Sequence, residues 1–364
     1  MESLVTAQFA NCYAGRRVLL SGHTGFKGSW LALWLHSLGA HVTGVALAPE
    51  TRPNHWDNLA LPIDDRRVNI LDANALRQVV QDVQPEIVFH LAAQALVRRS
   101  YRDPLNTWAT NVMGTANMLD AIRTCPSVQA VVAVTTDKCY INREWEWGYR
   151  EDDRLGGYDA YSASKAAAEL VASSYRQAFF NGPDSPAVAT ARAGNVIGGG
   201  DWSEDRLVPD LVRAVERGGA LEIRSPRATR PWQHVLESLS GDLQLGARLL
   251  SGRQEYAAAW NFGPDAEGNQ SVGAMLRELA GLWPELQWTE STAVQPHEAT
   301  LLYLDSSRAR HRLDWQPVWS YAETLAATAE WYRTFAASGR IVSREQLAAY
   351  VATACARGVR WTTR

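Results

Sequence analysis

Residues 16–48 read RRVLLSGHTGFKGSWLALWLHSLGAHVTGVALA. Within them, the apolar run 18–20 predicts a buried strand, and the proline-free apolar segment 26–38 predicts a helix that stops at Gly39. Another apolar run, at 42–47, predicts a second strand. A strand, a helix and a strand in this order form a βαβ unit, in which the helix joins two parallel strands. This stretch therefore places the chain in the α/β class.

The same alternation continues through the first half of the chain. Further apolar runs, separated by segments of helix length, lie at residues 68–70, 87–92, 131–135 and 188–191. Such runs are typical of strands that are buried on both faces of a parallel sheet. After about residue 195 the alternation loosens. We predict a Rossmann-type, doubly wound parallel sheet in residues 1–195 and a smaller mixed α/β domain in most of residues 196–364, from which some chain returns to the first domain.

The composition of the 364 residues excludes several classes of protein. Hydrophobic residues make up 46% and charged residues 21%, which is ordinary for a folded domain and unlike a disordered chain. The 36 Lys and Arg against 39 Asp and Glu leave a formal charge of −3, so no overall basic field favours nucleic acid or an anionic membrane. Cys12, Cys125, Cys139 and Cys355 lack metal-ligand spacing, so we expect neither a metal site nor a disulfide scaffold.

The sequence also bears on the compartment. Residues 1–17 lack the apolar run of a secretory signal, and no segment approaches the ~20 apolar residues that a membrane span requires. Cysteines without a disulfide pattern suit a reducing compartment. We therefore expect a cytoplasmic protein that does not bind membranes.

A glycine-rich turn connects the first strand to the first helix. The spacing Gly-x-x-Gly-x-x-Gly at 22–28 permits a tight turn, close approach of the backbone to a pyrophosphate, and close packing of helix on sheet. The glycine spacing, and a glycine after Lys27, differ from those of a nucleoside-triphosphate phosphate loop. We favour dinucleotide binding over a plain turn, with contacts from Gly22, Thr24, Gly25, Phe26, Lys27 and Gly28.

The end of the second predicted strand leaves the choice of dinucleotide open. A carboxylate at this point ordinarily binds the adenosine ribose of NAD, but residues 45–49, VALAP, offer none. Arg52 would suit the 2′-phosphate of NADP, although a lone arginine in a polar loop is more often solvated.

Tyr161 and Lys165 open a helical stretch and, being four residues apart, share one face of it. A phenol with a pKa of ~10 is a poor base at neutral pH, but a neighbouring ammonium group and a nicotinamide cation would favour the phenolate. Tyr161 would then accept a hydroxyl proton while a hydride leaves the same carbon. Such a pair is also common on ordinary surface helices, so its meaning depends on the residues around it.

A second polar group follows the apolar strand at 131–134. Residues 135–140 read TTDKCY, so a hydroxyl, a carboxylate and an amine occur consecutively where a parallel strand ends. Ligands of parallel sheets bind at these carboxyl ends. An ordinary turn with a solvated Asp–Lys pair is the alternative. We favour a catalytic site that combines this group with the Tyr–Lys pair.

Taken together, these motifs resemble the extended short-chain dehydrogenase/reductase family of nucleotide-sugar enzymes. The resemblance runs almost end to end, through GHTGFKGSWL (22–31), FHLAAQALVR (89–98), NVMGT (111–115), TTDKCY (135–140), WGYREDD (147–153), GGYDAYSASKAAAELV (156–171), ARAGNVIGGGDW (191–202) and RPWQHVLE (230–237). The glycine turn and the Tyr–Lys pair mark only the superfamily. Thr-Asp-Lys at 136–138, where dTDP-glucose relatives have Thr-Asp-Glu, is similar to the branch of 4,6-dehydratases that acts on CDP-glucose.

The resemblance implies an NAD-dependent reaction without net redox change: oxidation of the sugar at C4, loss of water across C5 and C6, and return of the hydride to C6. Tyr161 would be the base at C4, Lys165 would lower its pKa and hold the nicotinamide ribose, and Thr136 would hydrogen-bond the C4 oxygen. Asp137 would protonate the departing C6 hydroxyl, and Lys138 would assist at C5. The sequence leaves open whether burial raises the pKa of Asp137 more than Lys138 lowers it.

The resemblance implies further contacts and an assembly. Cofactor contacts would come from Asn69, Ile70, Leu91, Ala92 and Ala93. Contacts to the substrate and its diphosphate would come from Gln94, Asn195, Arg206, Arg224, Arg227, Arg230 and His234, with a solvated basic loop as the alternative for the arginine group. A homo-oligomer, dimer or tetramer, would pair through helices at 104–123 and 161–180, unless these only cover the sheet. The expected pathway is deoxysugar supply for surface polysaccharide such as lipopolysaccharide O-antigen.

Two other functions remain open at this point. A nucleotide-sugar 4-epimerase or reductase of the same family would use Tyr161 and Lys165 without needing Asp137. A cofactor-binding regulator with an inactive site is a third possibility, which the intact Thr136, Asp137, Tyr161 and Lys165 disfavour.

Overall fold

The structure is a computed structural model that describes residues 8–291 and 301–362. Its strands are β1 (Arg17–Ser21), β2 (His41–Ala46), β3 (Asp64–Arg67), β4 (Ile87–His90), β5 (Ala130–Val134), β6 (Ala187–Ala193), β7 (Val196–Ile197), β8 (Leu221–Ile223), β9 (Thr229–Pro231), β10 (Gln233–His234), β11 (Ala259–Phe262), β12 (Asn269–Ser271) and β13 (Trp288–Glu290). Its α-helices are α1 (Phe26–Ser37), α2 (His55–Leu59), α3 (Ala73–Val83), α4 (Val97–Arg102), α5 (Pro104–Trp108), α6 (Gly114–Arg123), α7 (Ala160–Ala178), α8 (Leu207–Glu216), α9 (Val235–Leu250), α10 (Val272–Leu282), α11 (Ser307–Leu313), α12 (Tyr321–Ser338) and α13 (Ser343–Ala356).

Seven strands form one parallel sheet in the order β11-β6-β5-β4-β1-β2-β3. The chain first adds strands on one side of β1 and then crosses to the other side, where β4 pairs with β1. This is the strand order of a Rossmann fold with one further strand at the edge, so the predicted α/β class is confirmed. Loops diverge where the order reverses, and they leave a crevice at the carboxyl ends of the strands, where ligands bind.

Alternate residues of the central strands face opposite layers of helices. In β1, Leu19 packs with Leu76 of α3 and Met118 of α6, whereas Val18 and Leu20 pack in the layer that contains α1 and α9. All five side chains are fully buried. Burial of a Val, Leu or Met side chain contributes about 1.5–3 kcal/mol relative to exposure. Because both faces of the sheet are covered, its central strands read as continuous apolar runs.

One strand lies outside the run that predicted it. We predicted a strand at 68–70, but β3 is Asp64–Arg67, and residues 68–70 follow it without strand structure. β3 is an edge strand made of four charged residues, most of them exposed. A search for apolar runs finds strands that are buried on both faces and misses an edge strand of this kind.

The helix predicted at 104–123 is continuous but not uniform. The α-helical segments α5 and α6 flank a single wide π turn at Ala109–Met113. Wide turns of this kind are often found at functional sites, because they turn a side chain away from the regular helical face. Asn111 lies in this turn.

The chain after β6 contributes to both halves of the molecule. Helix α9 packs against β5 and β6, and β11 extends the large sheet beside β6. The short strands pair as β7 with β10, β8 with β13 and β9 with β12. A single core cluster joins residues of both halves, so the division at residue 195 stays a proposal. Within the described ranges, no helix combines the length and apolar character needed to cross a membrane.

Candidate active site

The glycine turn brings the amino end of α1 close to the ends of two strands. Gly22 has a φ of 80°, and a Cβ atom there would lie 2.7 Å from the backbone nitrogen of Ala92. A Cβ atom on Gly28 would lie only 2.0 Å from the carbonyl oxygen of Gly22. Gly25 is the N-cap residue of α1. Glycine at positions 22 and 28 allows the backbone to pack this closely, which a larger residue would prevent. The first amide groups of α1 face the turn.

Hydrogen bonds join this turn to the neighbouring strands. The Ser21 hydroxyl, at the end of β1, accepts bonds from the backbone N–H groups of Leu91 and Ala92 at 3.1 and 3.2 Å. The Thr24 hydroxyl donates to the carbonyl oxygen of Leu47, just after β2, at 3.0 Å. These bonds fix the carboxyl ends of β1, β2 and β4 around a cradle of glycine backbone, which fits the pyrophosphate of a dinucleotide.

The predicted adenine contacts lie just after β3. The side-chain oxygen of Asn69 accepts a hydrogen bond from the N–H of Leu71 at 3.0 Å and retains a second lone pair. Ile70 is buried, and its side chain lies against Gly114 of α6. Ala93 follows Ala92 in the loop after β4. These positions are compatible with the adenosine end of the cofactor.

A cavity of about 1040 Å³ lies beside the carboxyl ends of β5 and β6. The predicted site residues that line it are Thr136, Asp137, Lys138, Tyr161, Asn195, Arg206, Arg224 and Arg230. They come from the segment after β5, from the first turn of α7, and from the chain beyond β6. Asp159 caps α7 by accepting a hydrogen bond from the N–H of Ser162 at 2.9 Å, which places Tyr161 in the first turn, beside the cavity.

Tyr161 and Lys165 are buried on the same face of α7. Burial raises the pKa of the Tyr161 hydroxyl to about 12, against the opposing effects of Thr136 and Arg206. Burial, reinforced by the positive charge of Lys27, lowers the pKa of the Lys165 ammonium group to about 8. The Lys165 ammonium donates to the carbonyl oxygen of Val134 at 3.2 Å. Tyr161 is therefore neutral in the ligand-free chain and needs a further positive charge to ionise.

Asp137 is buried with one carboxyl oxygen unpaired. Its side chain is 1% exposed, Oδ1 accepts a hydrogen bond from the Thr136 hydroxyl at 3.0 Å, and Oδ2 has no hydrogen-bond partner among the described residues. Burial raises the pKa of Asp137, although Lys138, Thr136 and Arg230 lower it. Burial therefore outweighs the charge of Lys138, which answers the question left open by the sequence. A carboxyl group with a raised pKa in a cavity is suited to donate a proton.

The arginines predicted to bind a diphosphate differ in their surroundings. Arg206 pairs with the buried carboxylate of Asp201 at 3.0 Å. Arg230 is buried and donates to the carbonyl oxygen of Thr229 at 2.9 Å. Arg224 is about one-third exposed. All three line the cavity, whereas Arg227 is exposed and does not. The structure thus places three of the four predicted guanidinium groups beside the catalytic residues.

Two other predicted substrate contacts do not line this cavity. The side chain of Gln94 is buried, donating to Thr107 and accepting from the backbone of Leu96 at 2.9 and 2.7 Å. His234 is fully buried as the N-cap residue of α9, where its Nδ1 accepts from the N–H of Leu236 at 3.3 Å. Each of these side chains makes its hydrogen bonds inside the fold, and both substrate contacts stay predictions.

Residues 19–243 match the model of the family described as GDP-mannose 4,6 dehydratase, which is more than half of the chain. The chain belongs to the GDP-mannose 4,6 dehydratase family. Within this family it is 45% identical over 332 residues to the CDP-glucose 4,6-dehydratase of Salmonella typhimurium, an alignment that covers 89% of this chain and 92% of that protein.

One solved structure agrees with this assignment, and a second shares the fold. DesIV from Streptomyces venezuelae, a dTDP-glucose 4,6-dehydratase double mutant with NAD and DAU bound, matches with a TM-score of 0.71 and 25% identity, over 87% of this chain and 97% of that one. The epimerase Mth375 from Methanothermobacter thermautotrophicus matches with a TM-score of 0.80 and 21% identity, over 94% of this chain and 98% of that one. The second likeness shows the fold alone.

In this member of the GDP-mannose 4,6 dehydratase family, Glu169 is buried behind the site, and no prediction included it. It continues the four-residue spacing of Tyr161 and Lys165 along α7. Its carboxylate accepts hydrogen bonds at 2.5, 2.7 and 2.8 Å from Thr135, Thr190 and Arg192. Burial alone would raise the pKa of Glu169, but Arg192 and these hydrogen bonds lower it. The four-residue spacing could have indicated from the sequence that Glu169 lies on the same face as Tyr161 and Lys165. Its pairing with the buried Arg192 on β6 could not be predicted from the sequence.

Asn111 was also missed, and it connects α7 to the loop after β4. Its side chain donates to the Ser164 hydroxyl at 2.9 Å and to the carbonyl oxygen of Gln94 at 3.0 Å. The same side chain accepts from the N–H of Gln94 at 2.9 Å. The π turn that presents Asn111 has no signature in the sequence, so periodicity alone could not find it.

Lys27 has a buried partner that the sequence analysis did not include. Its ammonium group lies 3.6 Å from Oδ2 of Asp242 on α9. Burial raises the pKa of Asp242 to about 6, against the opposing charge of Lys27. Asp242 thereby holds the ammonium group of Lys27 beside the glycine turn. Among the described residues, no group of three or more His, Cys, Asp and Glu is arranged to hold a metal ion.

Proposed function

We propose that this protein is an NAD-dependent 4,6-dehydratase that converts CDP-glucose to CDP-4-dehydro-6-deoxyglucose and water. The relative that is 45% identical over most of both chains is a CDP-glucose 4,6-dehydratase. The observation that carries the proposal is Asp137: a buried carboxyl group with a raised pKa and an unpaired oxygen lines the same cavity as Tyr161 and Thr136. Epimerisation at C4 needs no such acid, whereas elimination of a hydroxyl group does.

The glycine cradle and the ends of β1, β2 and β4 would hold NAD. Positions 22 and 28 exclude a Cβ atom, which leaves room for a pyrophosphate at the amino end of α1. Lys165 would hold the nicotinamide ribose, and Asn69 would contact adenine. When bound, NAD supplies an acceptor for the hydride of C4 and the donor that returns it to C6, so the sugar undergoes no net redox change.

Oxidation at C4 depends on proton transfer to Tyr161. The phenol accepts the O4 proton as the C4 hydride leaves, and the Thr136 hydroxyl hydrogen-bonds the same oxygen. With the Tyr161 pKa near 12, the residue is a poor base in the ligand-free chain. The charge of Lys165 and, once NAD is bound, that of the nicotinamide ring would lower this pKa, so oxidation would depend on cofactor binding.

Elimination uses the segment after β5. The 4-keto group acidifies the C5 proton, the amine of Lys138 would take up this proton, and the C6–O bond would break as Asp137 donates a proton to the departing hydroxyl. Water would leave, Lys138 would return the proton to C5, and C6 would receive the hydride. The proton that Tyr161 took from O4 would replace the one that Asp137 gave up. The diphosphate is contacted by Asn195 and by three arginines, Arg206, Arg224 and Arg230. Arginine suits this role because its guanidinium group can donate two parallel hydrogen bonds to phosphate oxygens. The chain after residue 195 thereby forms most of the nucleotide-sugar domain.

The test is to incubate the pure protein with CDP-glucose and follow the sugar nucleotide by mass spectrometry. A dehydratase gives a product lighter by one water, a 4-epimerase gives a product of unchanged mass, and an inactive regulator binds NAD without turnover. Parallel incubations with dTDP-glucose, UDP-glucose and GDP-mannose measure the preference for the base and sugar. Faster loss of water from any of these than from CDP-glucose would refute the proposed substrate.

The protein is also proposed to be a homo-oligomer of the cytoplasm. The helices predicted to pair, α5, α6 and α7, pack against one another, and exposed apolar residues lie on α5, in the π turn, on α7 and directly after it. These residues are Leu105, Trp108, Met113, Leu170 and Phe179. Two copies joined through this face would bury them in a four-helix arrangement. Four free cysteines agree with a reducing compartment.

A further inference from the structure

Asp205 lies in the cavity between arginines from both halves of the chain. Its Oδ1 is 3.5 Å from Arg98 of α4 and 3.6 Å from Arg224, and its Oδ2 is 3.8 Å from Arg102 of α4. Asp205, Arg98 and Arg224 all line the cavity. Because the two lining guanidinium groups reach the same carboxylate oxygen, they converge on a position that one anionic oxygen can occupy.

These contacts are loose compared with the ion pairs directly beside them. Glu204 pairs with Arg99 at 3.0 Å and with Arg102 at 2.7 Å, and Arg99 pairs with Glu50 at 2.6 Å. Glu204 does not line the cavity. Separations of 3.5–3.8 Å are charge pairs without the short geometry of a charge-assisted hydrogen bond. The Glu204 pairs therefore form the tight connection between the halves, while Asp205 is held more weakly at the cavity.

We propose that Asp205 is a latch that occupies the diphosphate site of the ligand-free chain, and that Arg98 is a diphosphate ligand from the cofactor half. The substrate's diphosphate displaces the Asp205 carboxylate and pairs with both Arg98 and Arg224. This inference rests on the proposed function, since it takes the substrate to be a nucleoside diphosphate sugar. It adds a cation on α4 to the arginines that the chain after residue 195 supplies.

The displacement is favourable because the two anions differ in charge and in number of oxygens. A diphosphate diester carries two negative charges and several acceptor oxygens, whereas Asp205 offers one charge and already divides it among three guanidinium groups. Asp205 has a φ of 56°, a conformation that Asn tolerates as well as Asp. The substitution Asp205→Asn therefore removes the charge and leaves the backbone of the loop unchanged.

The experiment measures the affinity of the NAD-loaded protein for CDP by calorimetry. Asp205→Asn is expected to bind CDP about two- to fivefold more tightly than the wild type, the range that corresponds to a partly exposed ion pair. Its affinity for CDP should also fall more steeply with salt. In the wild type, salt weakens both the Asp205–arginine pairs of the free protein and the CDP–arginine contacts, and the two effects partly cancel; in Asp205→Asn only the second effect remains. Unchanged or weaker binding by Asp205→Asn would overturn the latch.

Two further variants separate the latch from a general charge effect. Glu204→Gln removes the same charge one residue away, outside the cavity, and should leave CDP affinity within about twofold of the wild type. Arg98→Met in the Asp205→Asn background should weaken CDP binding about tenfold, because the variant lacks a charged diphosphate contact. Equal tightening by Glu204→Gln, or no loss from Arg98→Met, would refute the inference. A wild-type protein that does not bind CDP would instead refute the proposed substrate.

Discussion

Asp137 and its neighbour Lys138 show how position in the fold selects between two effects on one carboxyl group. The adjacent ammonium group favours the carboxylate, while burial favours the neutral acid. The structure leaves Asp137 1% exposed, with a pKa above its usual value. A raised pKa leaves a larger fraction of Asp137 protonated at a given pH than in a solvated aspartate, which favours its role as a proton donor.

Asp137→Asn should separate oxidation from elimination. Asparagine has nearly the same volume but no proton to donate, so C4 oxidation should proceed while loss of water slows by about 10²- to 10⁴-fold. Absorbance of the reduced cofactor after mixing with CDP-glucose reports the first step, and mass spectrometry reports the second. Tyr161→Phe is the matched control, since it should abolish the absorbance change as well. Water loss at the wild-type rate in Asp137→Asn would remove Asp137 from the mechanism.

Lys165→Met should inactivate the protein yet stabilise its ligand-free fold at neutral pH. The folded pKa of Lys165 is about 8 and the reference value is 10.5, so at pH 7 the folded state holds a buried charge that the unfolded state keeps in water. This difference corresponds to about 3 kcal/mol. Loss of the hydrogen bond to Val134 offsets about 1 kcal/mol of the gain.

The sign of the pH dependence follows from the lowered pKa. Between pH 8 and 10.5 the folded state binds fewer protons than the unfolded state, so wild-type stability rises with pH and the advantage of Lys165→Met disappears. Urea unfolding without NAD, at pH 7 and pH 10, measures this. Lys138→Met is the control, because Lys138 is only partly buried, and it should change stability by less than about 1 kcal/mol at either pH. A Lys165→Met variant that is less stable than the wild type at pH 7 would contradict the assignment.

At the scale of one element, α7 carries three ionisable side chains along one face, Tyr161, Lys165 and Glu169. Tyr161 and Lys165 face the reaction, and Glu169 ties the helix to β5 and β6 through Thr135 and Arg192. Thr135 directly precedes the Thr136–Asp137 pair. The helix thereby fixes the Tyr161–Lys165 pair relative to the Thr136–Asp137 pair.

Glu169→Gln should destabilise the fold strongly. It leaves the Arg192 guanidinium, which is 3% exposed, without its counter-ion, and breaking a buried pair in this way costs about 3–5 kcal/mol. The free energy of unfolding in urea at pH 7.5 measures the loss. Glu345→Gln, in an ion pair whose two side chains are mostly exposed, is the matched control and should cost less than about 1 kcal/mol. Similar small losses in both variants would show that the buried pair contributes little.

Elements differ in how well their sequence predicts them, and β1 and β3 show the contrast. β1 is buried on both faces and reads as an apolar run, followed by a glycine turn whose spacing has a local steric reason. β3 is an exposed edge strand of charged residues, and only its pairing with β2 defines it. The π turn at Ala109–Met113 likewise depends on packing that no short window of sequence contains.

At the scale of the whole molecule, the exposed apolar residues of α5, the π turn and α7 predict self-association. Leu105 is 80% exposed and Leu170 60% exposed, on helices that pack against each other. We expect a dimer or tetramer for the wild type and a monomer for the double variant Leu105→Glu/Leu170→Glu by analytical ultracentrifugation, because charged side chains are costly to desolvate in an interface.

Leu47→Glu provides the control for this prediction. Leu47 is 59% exposed but follows β2 and belongs to none of the three helices. This variant should keep the wild-type assembly. A monomeric wild-type protein, or an unchanged assembly in the double variant, would contradict pairing through these helices.

By itself, the sequence determined the parallel α/β fold, the glycine cradle and the candidate catalytic groups. Strand burial, helix periodicity and turn sterics act over a few neighbouring residues, so they are readable locally. Only the tertiary structure decided that burial prevails at Asp137, that Gln94 and His234 serve the fold, and that Asp205 stands among arginines from both halves. Each of these depends on desolvation or on charges distant in sequence, and such effects arise only when the folded chain brings those groups together.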